Sequence, residues 1–404
     1  MSKSNSGLSK ARLKRLHNVV QGYVDSGEVV GAITLIDRRG ETHVDVVGLA
    51  DRERRTPLKR DAIFRIASMS KPITAVAAMI LVEEGKLRLD EPIDRLLPEM
   101  AGRKVLKSLD SQLDDVVPAV RPITLRDLLT FRMGFGMVMG PPGELPIQKA
   151  MDDLGIMGLR PWVAHQPDEW IKRLGSLPLM HQPGERWMYH TGSDVLGVLI
   201  ARAADMPFEA FLKARIFEPL GMKDTGFSVP KAKLSRLGSC YATNPKSGAL
   251  ELDDDAGAAS QWAGSPSFPA GGGGLVSTID DYLAFGRMML NYGQLNGERI
   301  LSRTTVAAMI TDQISDAQKA ISPFFPGFWD SRGWGFGLST VTRRSAGAMT
   351  PGRFGWDGAY GTSWSSDPAE GMVSILMQQR LSFAPTGASL MADFWTMAYQ
   401  AIDD

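Results

Sequence analysis

Phe64-Arg65-Ile66-Ala67-Ser68-Met69-Ser70-Lys71-Pro72-Ile73-Thr74-Ala75-Val76-Ala77-Ala78-Met79-Ile80 sets a serine three residues before a lysine, ahead of a long apolar run. On a helix, residues i and i+3 project from the same side one turn apart, so Ser68 and Lys71 place an amine beside a hydroxyl. Pro72 is tolerated only in a first helical turn, where its missing amide would have had no partner. Val76, Met79, Ile80, Leu81 and Val82 among alanines read as a helix buried on most sides. Ser68 therefore lies at a helix N-terminus, where the dipole and the unpaired amides favour developing negative charge. A serine hydroxyl is a poor nucleophile until an adjacent base takes its proton, and a partly desolvated lysine is such a base. A second S-x-x-K, Ser228-Val229-Pro230-Lys231, has its proline inside the spacing and no apolar helical run behind it, so it reads as a loop.

Working outward, 404 residues with 44% apolar and 22% charged side chains describe a globular chain with a sizeable core. Lys+Arg and Asp+Glu are both 45, and this balance argues against nucleic-acid or acidic-lipid partners. Met1-Ser2-Lys3-Ser4-Asn5-Ser6-Gly7-Leu8-Ser9-Lys10 has no apolar h-region and no later window reaches the length of a membrane span; the expectation is a cytoplasmic protein without a membrane partner. Cys240 is the lone cysteine and reads as a buried or incidental thiol. The five histidines, at 17, 43, 165, 181 and 190, have no H-E-x-x-H spacing, so neither a catalytic zinc nor another cofactor is expected. G-x-S-x-G is also missing, which argues against a Ser/His/Asp triad.

Residues 8 to 25 carry Leu13, Leu16, Val20 and Tyr23 at helical spacing, and Val29 to Ile36 is rich in β-branched residues. The turn Asp37-Arg38-Arg39-Gly40 and the alternating Thr42, Val44 and Val46 complete a β-hairpin. Helices dominate from Asp61, including a Thr-capped Ile123-Thr124-Leu125-Arg126-Asp127-Leu128-Leu129-Thr130 and two runs at Val195–Ala204 and Phe208–Phe217. A glycine-rich segment, 134 to 165, holds Met137, Met139, Met151 and Met157 just after Met133, and reads either as an adaptable pocket wall or as core filling under a long loop. Gly271-Gly272-Gly273-Gly274 reads as a permissive turn before a helix capped near Ser277-Thr278, and Phe324, Phe325, Phe328, Trp329 and Trp334 make an aromatic loop after a helix near 302 to 311. Strands return at Phe336–Thr342, around 354 to 366 and at Gly371–Gln378, before a closing amphipathic helix marked by Leu390, Phe394 and Met397. The pattern predicts a mixed α/β (α+β) fold, in which an antiparallel sheet from residues 1–60 and 265–404 is flanked by helices. A mostly helical domain, 61–264, is inserted, and the active site is expected at the junction.

Ser68-Met69-Ser70-Lys71, Leu125-Arg126-Asp127-Leu128-Leu129-Thr130 and Pro183-Gly184-Glu185-Arg186-Trp187-Met188-Tyr189-His190-Thr191-Gly192-Ser193 give the chain its resemblance to the serine β-lactamase and penicillin-binding-protein superfamily. The match is strongest to the class C-like branch and the family VIII carboxylesterases, and implies a β-lactamase-like fold. It also implies that Tyr189 is a general base whose phenolate is favoured by the neighbouring lysine. The family's K-T-G strand matches Trp356-Asp357-Gly358 within Gly355–Gly361, in the W-x-G form common among those esterases. That strand edge would bind substrate, and the amides of Ser68 and Ala359 would form the oxyanion hole. Two departures matter: Trp356 stands where a β-lactamase lysine holds the drug carboxylate, and Thr191 replaces an asparagine that grips an acylamido group. Both favour a neutral, apolar small-molecule ester. The resemblance thus implies a serine carboxylesterase, with an acyltransferase using an alcohol acceptor, or a weak β-lactamase or amide hydrolase, as alternatives. An inert scaffold would be expected to lack Ser68, Lys71 or Tyr189, and whether the chain forms a homo-oligomer stays open.

Overall fold

The computed structural model describes residues 6–156, 164–344, 350–381 and 389–404. Its frame is an eight-stranded sheet in which every strand runs antiparallel to its neighbours. The strands are β1 (Gly31–Arg38), β2 (Glu41–Asp51), β3 (Thr56–Pro57), β4 (Arg332–Trp334), β5 (Ser339–Val341), β6 (Phe354–Asp357), β7 (Ser363–Asp367) and β8 (Met372–Gln378). Their order is β4-β5-β6-β7-β8-β1-β2-β3, so the two ends of the sequence meet where β1 pairs with β8. β1 and β2 join through Arg39 and Gly40, both at positive φ, the two-residue turn whose twist suits a hairpin.

All eight residues of β1 are buried, because both faces of the sheet are covered. The helices that cover it and carry the site are α1 (Lys10–Asp25), α2 (Ser70–Glu83), α3 (Thr191–Ala204), α4 (Ile279–Leu290) and α5 (Leu390–Gln400). Side chains alternate across a strand. Ala32 and Ile36 of β1 accordingly meet Leu16 and Val20 of α1 and Phe394 of α5 on one face. Ile33 and Leu35 join the large apolar cluster that runs through α4, α2 and α3 on the other. α2 is the axis of that cluster: from Ser70 to Leu81 every residue is buried, as the alanine-rich apolar run requires.

Several boundaries differ from the sequence reading. The segment around 354 to 366 is two strands with a turn at 358–362, and the strand expected over 336–342 shortens to Ser339–Val341 because Gly337, at φ +73°, turns the chain first. α3 starts at Thr191 rather than Val195. The second S-x-x-K is loop up to Pro230, as expected, with a 3-10 helix following. In the methionine-rich segment Met133 and Met151 fill the core, Met137 packs beside an aromatic cluster and Met139 is exposed; Met157 lies outside the described residues. Cys240 is buried, and burial pushes its thiol up to about 12. Among the described residues no helix is long and apolar enough to cross a membrane.

Candidate active site

Ser68 sits in a 3-10 turn, Ala67–Met69, that feeds directly into α2. Ala67 is held at φ +42°, and His190, just before α3, at φ +88°. Side chains other than glycine rarely adopt these conformations, and such strain gathers where a fold must present a particular group. Here the two strained residues flank Ser68 and Tyr189.

Lys71 Nζ lies 2.9 Å from Ser68 Oγ, and its amine also reaches Gly272 O at 2.5 Å and His190 Nδ1 at 3.1 Å. The lysine is fully buried, and that burial lowers its pKa to about 7 against an opposing pull from Asp194. Tyr189 hydrogen-bonds Ser68, and its ring lies 4.6 Å from Lys71 Nζ. Burial pushes its phenol well above the ordinary tyrosine range, despite its hydrogen bonds with Ser68 and Trp356. Burial thus works against the resting phenolate that the resemblance implies, and also against the lysine charge that would favour it.

Backbone pairing holds Tyr189 in place, for Met188 N–H donates to Phe131 O and Met137 N–H to Tyr189 O, both at 2.8 Å. On the far side, Trp356 Nε1–H donates to Tyr189 Oη at 2.7 Å. Trp356 is therefore not only a wall where a β-lactamase would carry lysine; its indole is engaged with Tyr189, and the ring is only 6% exposed. Phe131, Trp187, Phe324, Phe328 and Trp334 gather around these two residues, with Phe324 5.0 Å from Tyr189 and Trp334 4.6 Å from Trp356 between centroids. The aromatic loop thus becomes one side of the site.

Gly358 shows why the strand after Trp356 ends as it does. A Cβ there would meet Ile66 O at 2.3 Å, so only glycine lets the turn after β6 press against the Ser68 turn. Within it Gly358 N–H donates to Thr362 O at 2.7 Å and Gly361 N–H to Gly358 O at 2.9 Å, while Ala359 packs in one cluster with Ala67. Asp357 alternates to the other face of the strand and binds Ser363, its registered partner; its charge reaches the site only by adding to the upward push on Tyr189. Thr191 is buried as the first residue of α3.

The structure therefore joins Ser68, Lys71, Tyr189 and Trp356 by hydrogen bonds, and brings Ala359 and Gly358 against the same turn. It does not bring the Asp357 carboxylate to Ser68. Three contributors escaped the sequence reading: His190, Asp194 and the carbonyl of Gly272. The first two stand four residues apart, His190 just before α3 and Asp194 in its first turn, and starting the helix at Thr191 would have drawn attention to the pair.

The family model described as Beta-lactamase matches residues 16–392. Protein Rv1367c of Mycobacterium tuberculosis (strain ATCC 25618 / H37Rv) is 39% identical over 361 residues, covering 88% of this chain and 87% of its own. Esterase EstB of Burkholderia gladioli is 33% identical over 380 residues, covering 90% and 89%. Among solved structures, EstCE1, described as a hydrolase with promiscuous acyltransferase activity, superposes with a TM-score of 0.77 at 25% identity, covering 98% of this chain and 99% of its own.

Proposed function

Because the chain belongs to the beta-lactamase family, we propose that it is a serine carboxylesterase hydrolysing short-chain or aryl carboxylic esters through an acyl-enzyme on Ser68. The observation that carries this reading is the 2.9 Å contact between Ser68 Oγ and a buried Lys71 whose pKa is lowered to about 7, with Tyr189 on the same hydroxyl. The esterase relatives support it. In the same reading the site lies at a junction: Ser68, Lys71 and Tyr189 come from the helical part, 61–264, and Trp356 and Ala359 from the sheet part, 1–60 with 265–404.

The proton moves follow from the resting charges. Lys71, neutral, takes the Ser68 proton as Oγ bonds to the ester carbonyl carbon, and the amides of Ser68 and Ala359 hold the oxyanion. As the C–O bond breaks, Tyr189 gives its proton to the leaving alcohol. The phenolate so formed sits beside a now cationic Lys71, and it takes a proton from the water that attacks the acyl-enzyme. Lys71 then returns its proton to Ser68 Oγ, and the free acid leaves. Tyr189 is thus a base only in the second half of the cycle. Trp356 in place of a cation favours a neutral acyl group, and the aromatic side of the site suits an apolar one.

The test is peptide mapping after brief mixing with a short p-nitrophenyl ester: a transient acyl group on the peptide bearing Ser68 is expected, and turnover with no adduct there overturns the reading. Trp356→Phe keeps an aromatic ring but removes the N–H to Tyr189; kcat is expected to fall about fivefold with KM unchanged, the size of one hydrogen bond of about 1 kcal/mol. Steady-state kinetics check it. Transfer of the acyl group to an alcohol is a second reading, favoured by the acyltransferase activity of EstCE1; the ratio of new ester to free acid with added alcohol decides it.

A further inference from the structure

The hydrogen-bond chain continues beyond Lys71. His190 Nδ1 faces the amine at 3.1 Å, and its Nε2 lies 3.1 Å from Asp194 Oδ2. The other carboxylate oxygen, Oδ1, accepts Gly272 N–H at 2.8 Å, and Gly272 O in turn accepts from Lys71. Both side chains are more than nine-tenths buried. Burial alone would push Asp194 up, but His190, the Gly272 amide and Lys71 outweigh it and hold the carboxyl below its usual range. Burial, above all, pushes His190 down against the pull of Asp194, so the ring rests neutral.

A neutral imidazole carries one proton, and a carboxylate can only accept, so that proton stands on Nε2 and Nδ1 is left as a lone pair. Lys71 must donate to Nδ1, and it must donate to the Gly272 carbonyl as well. A neutral amine has two N–H bonds and one lone pair. With both N–H bonds engaged, the lone pair is left for the third neighbour, the Ser68 hydroxyl.

We propose that His190 and Asp194 are positioning residues that aim the Lys71 lone pair at Ser68 Oγ–H, so that the base is oriented before substrate arrives. The proposal rests on the acyl-enzyme reading, in which Lys71 accepts the Ser68 proton. When it does so, the new N–H points back at Ser68 Oγ while the other two bonds stay as they were, and no group turns during the step. The groups facing Lys71 are Ser68, the Tyr189 ring, His190 and Gly272 O, with Asp194 behind the imidazole. Asp357 acts on Tyr189 rather than on the amine.

Asp194→Asn keeps the size of the side chain and an acceptor for Gly272 N–H, but no longer dictates the tautomer. An Nδ1–H form then competes for the Lys71 lone pair. The rate of the p-nitrophenol burst is expected to fall about ten- to a hundredfold with KM unchanged, a part of what a well-placed general base supplies. The acid limb of kcat/KM moves to lower pH, because the Asp194 charge that raises the Lys71 pKa is gone. A packing role alone would lower Tm and leave that limb in place. A wild-type burst rate with an unmoved limb overturns the proposal, and if wild-type Ser68 still acylates, the esterase reading survives it. Histidine-selective 15N NMR of the wild type tests the same point without relying on the variant folding. The His190 ring, assigned by its loss in His190→Asn, is expected neutral with Nε2–H, and an imidazolium or an Nδ1–H signal overturns the proposal.

Discussion

Lys71→Met is expected to reduce kcat/KM for ester hydrolysis by about three orders of magnitude and, at the same time, to raise the stability of the fold. Methionine fills nearly the same space with no base. The stability half follows from linkage. A lysine lowered from 10.5 to about 7 by burial binds fewer protons in the folded chain than in the unfolded one between those pH values. Wild-type stability therefore rises with pH across that window, and the cost of the buried amine is fully present below it. At about 1.4 kcal/mol per pH unit that cost is on the order of 5 kcal/mol. Losing the contacts to Ser68, Gly272 O and His190 costs about 1 kcal/mol each, so the net change stays stabilising near pH 7 and reverses above about pH 8, where the cost of the buried amine falls below that sum. Thermal unfolding at three pH values checks the sign. For the wild type, acylation rises as pH passes upward through about 7, where Lys71 loses its proton. A Lys71→Met protein that still turns over ester would remove the lysine from the mechanism.

How much of this was legible in the chain depends on sequence distance. Ser68 and Lys71 are one turn apart on one helix, and a single proline marks where that helix starts, so their meeting could be read locally. The β1–β2 hairpin was equally plain, from β-branched runs around Arg39-Gly40. The sheet that joins the two ends was inferred from strand-like texture at both, and β1 pairing with β8 gives it physical form. The Trp356–Tyr189 hydrogen bond spans 167 residues, and no spacing rule announces it. His190 and Asp194 were hidden for another reason. Helix starts are read from the first apolar repeat, whereas the first turn of α3, Thr191 to Asp194, is polar and buried because it lines the site. Local pattern and global role disagree there, as they do at the positive φ of Ala67 and His190.

Tyr189→Phe should separate the two halves of the cycle. A p-nitrophenyl ester has a leaving group good enough to depart without a proton, so Lys71 alone suffices for acylation and a burst of nitrophenol is expected. Water attack on the acyl-enzyme still needs a base, and phenylalanine provides none, so deacylation slows by about 10² to 10³. Intact mass spectrometry should then find the acyl group persisting on the variant and vanishing from the wild type. An alkyl ester with a poor leaving group reverses the picture. Its alkoxide cannot leave without the Tyr189 proton, so acylation itself becomes slow and no adduct accumulates. The fold should tolerate the change, because the phenylalanine ring keeps its neighbours Trp187, Phe324 and Trp356, leaving the Trp356 indole N–H as the one donor to lose its acceptor. Equal slowing of both esters with no adduct from either would assign Tyr189 to taking the Ser68 proton, the role the resemblance gives it, and would move Lys71 from base to electrostatic support. The adduct seen with one ester and not the other is what a phenol at rest, proton donor first and base second, requires.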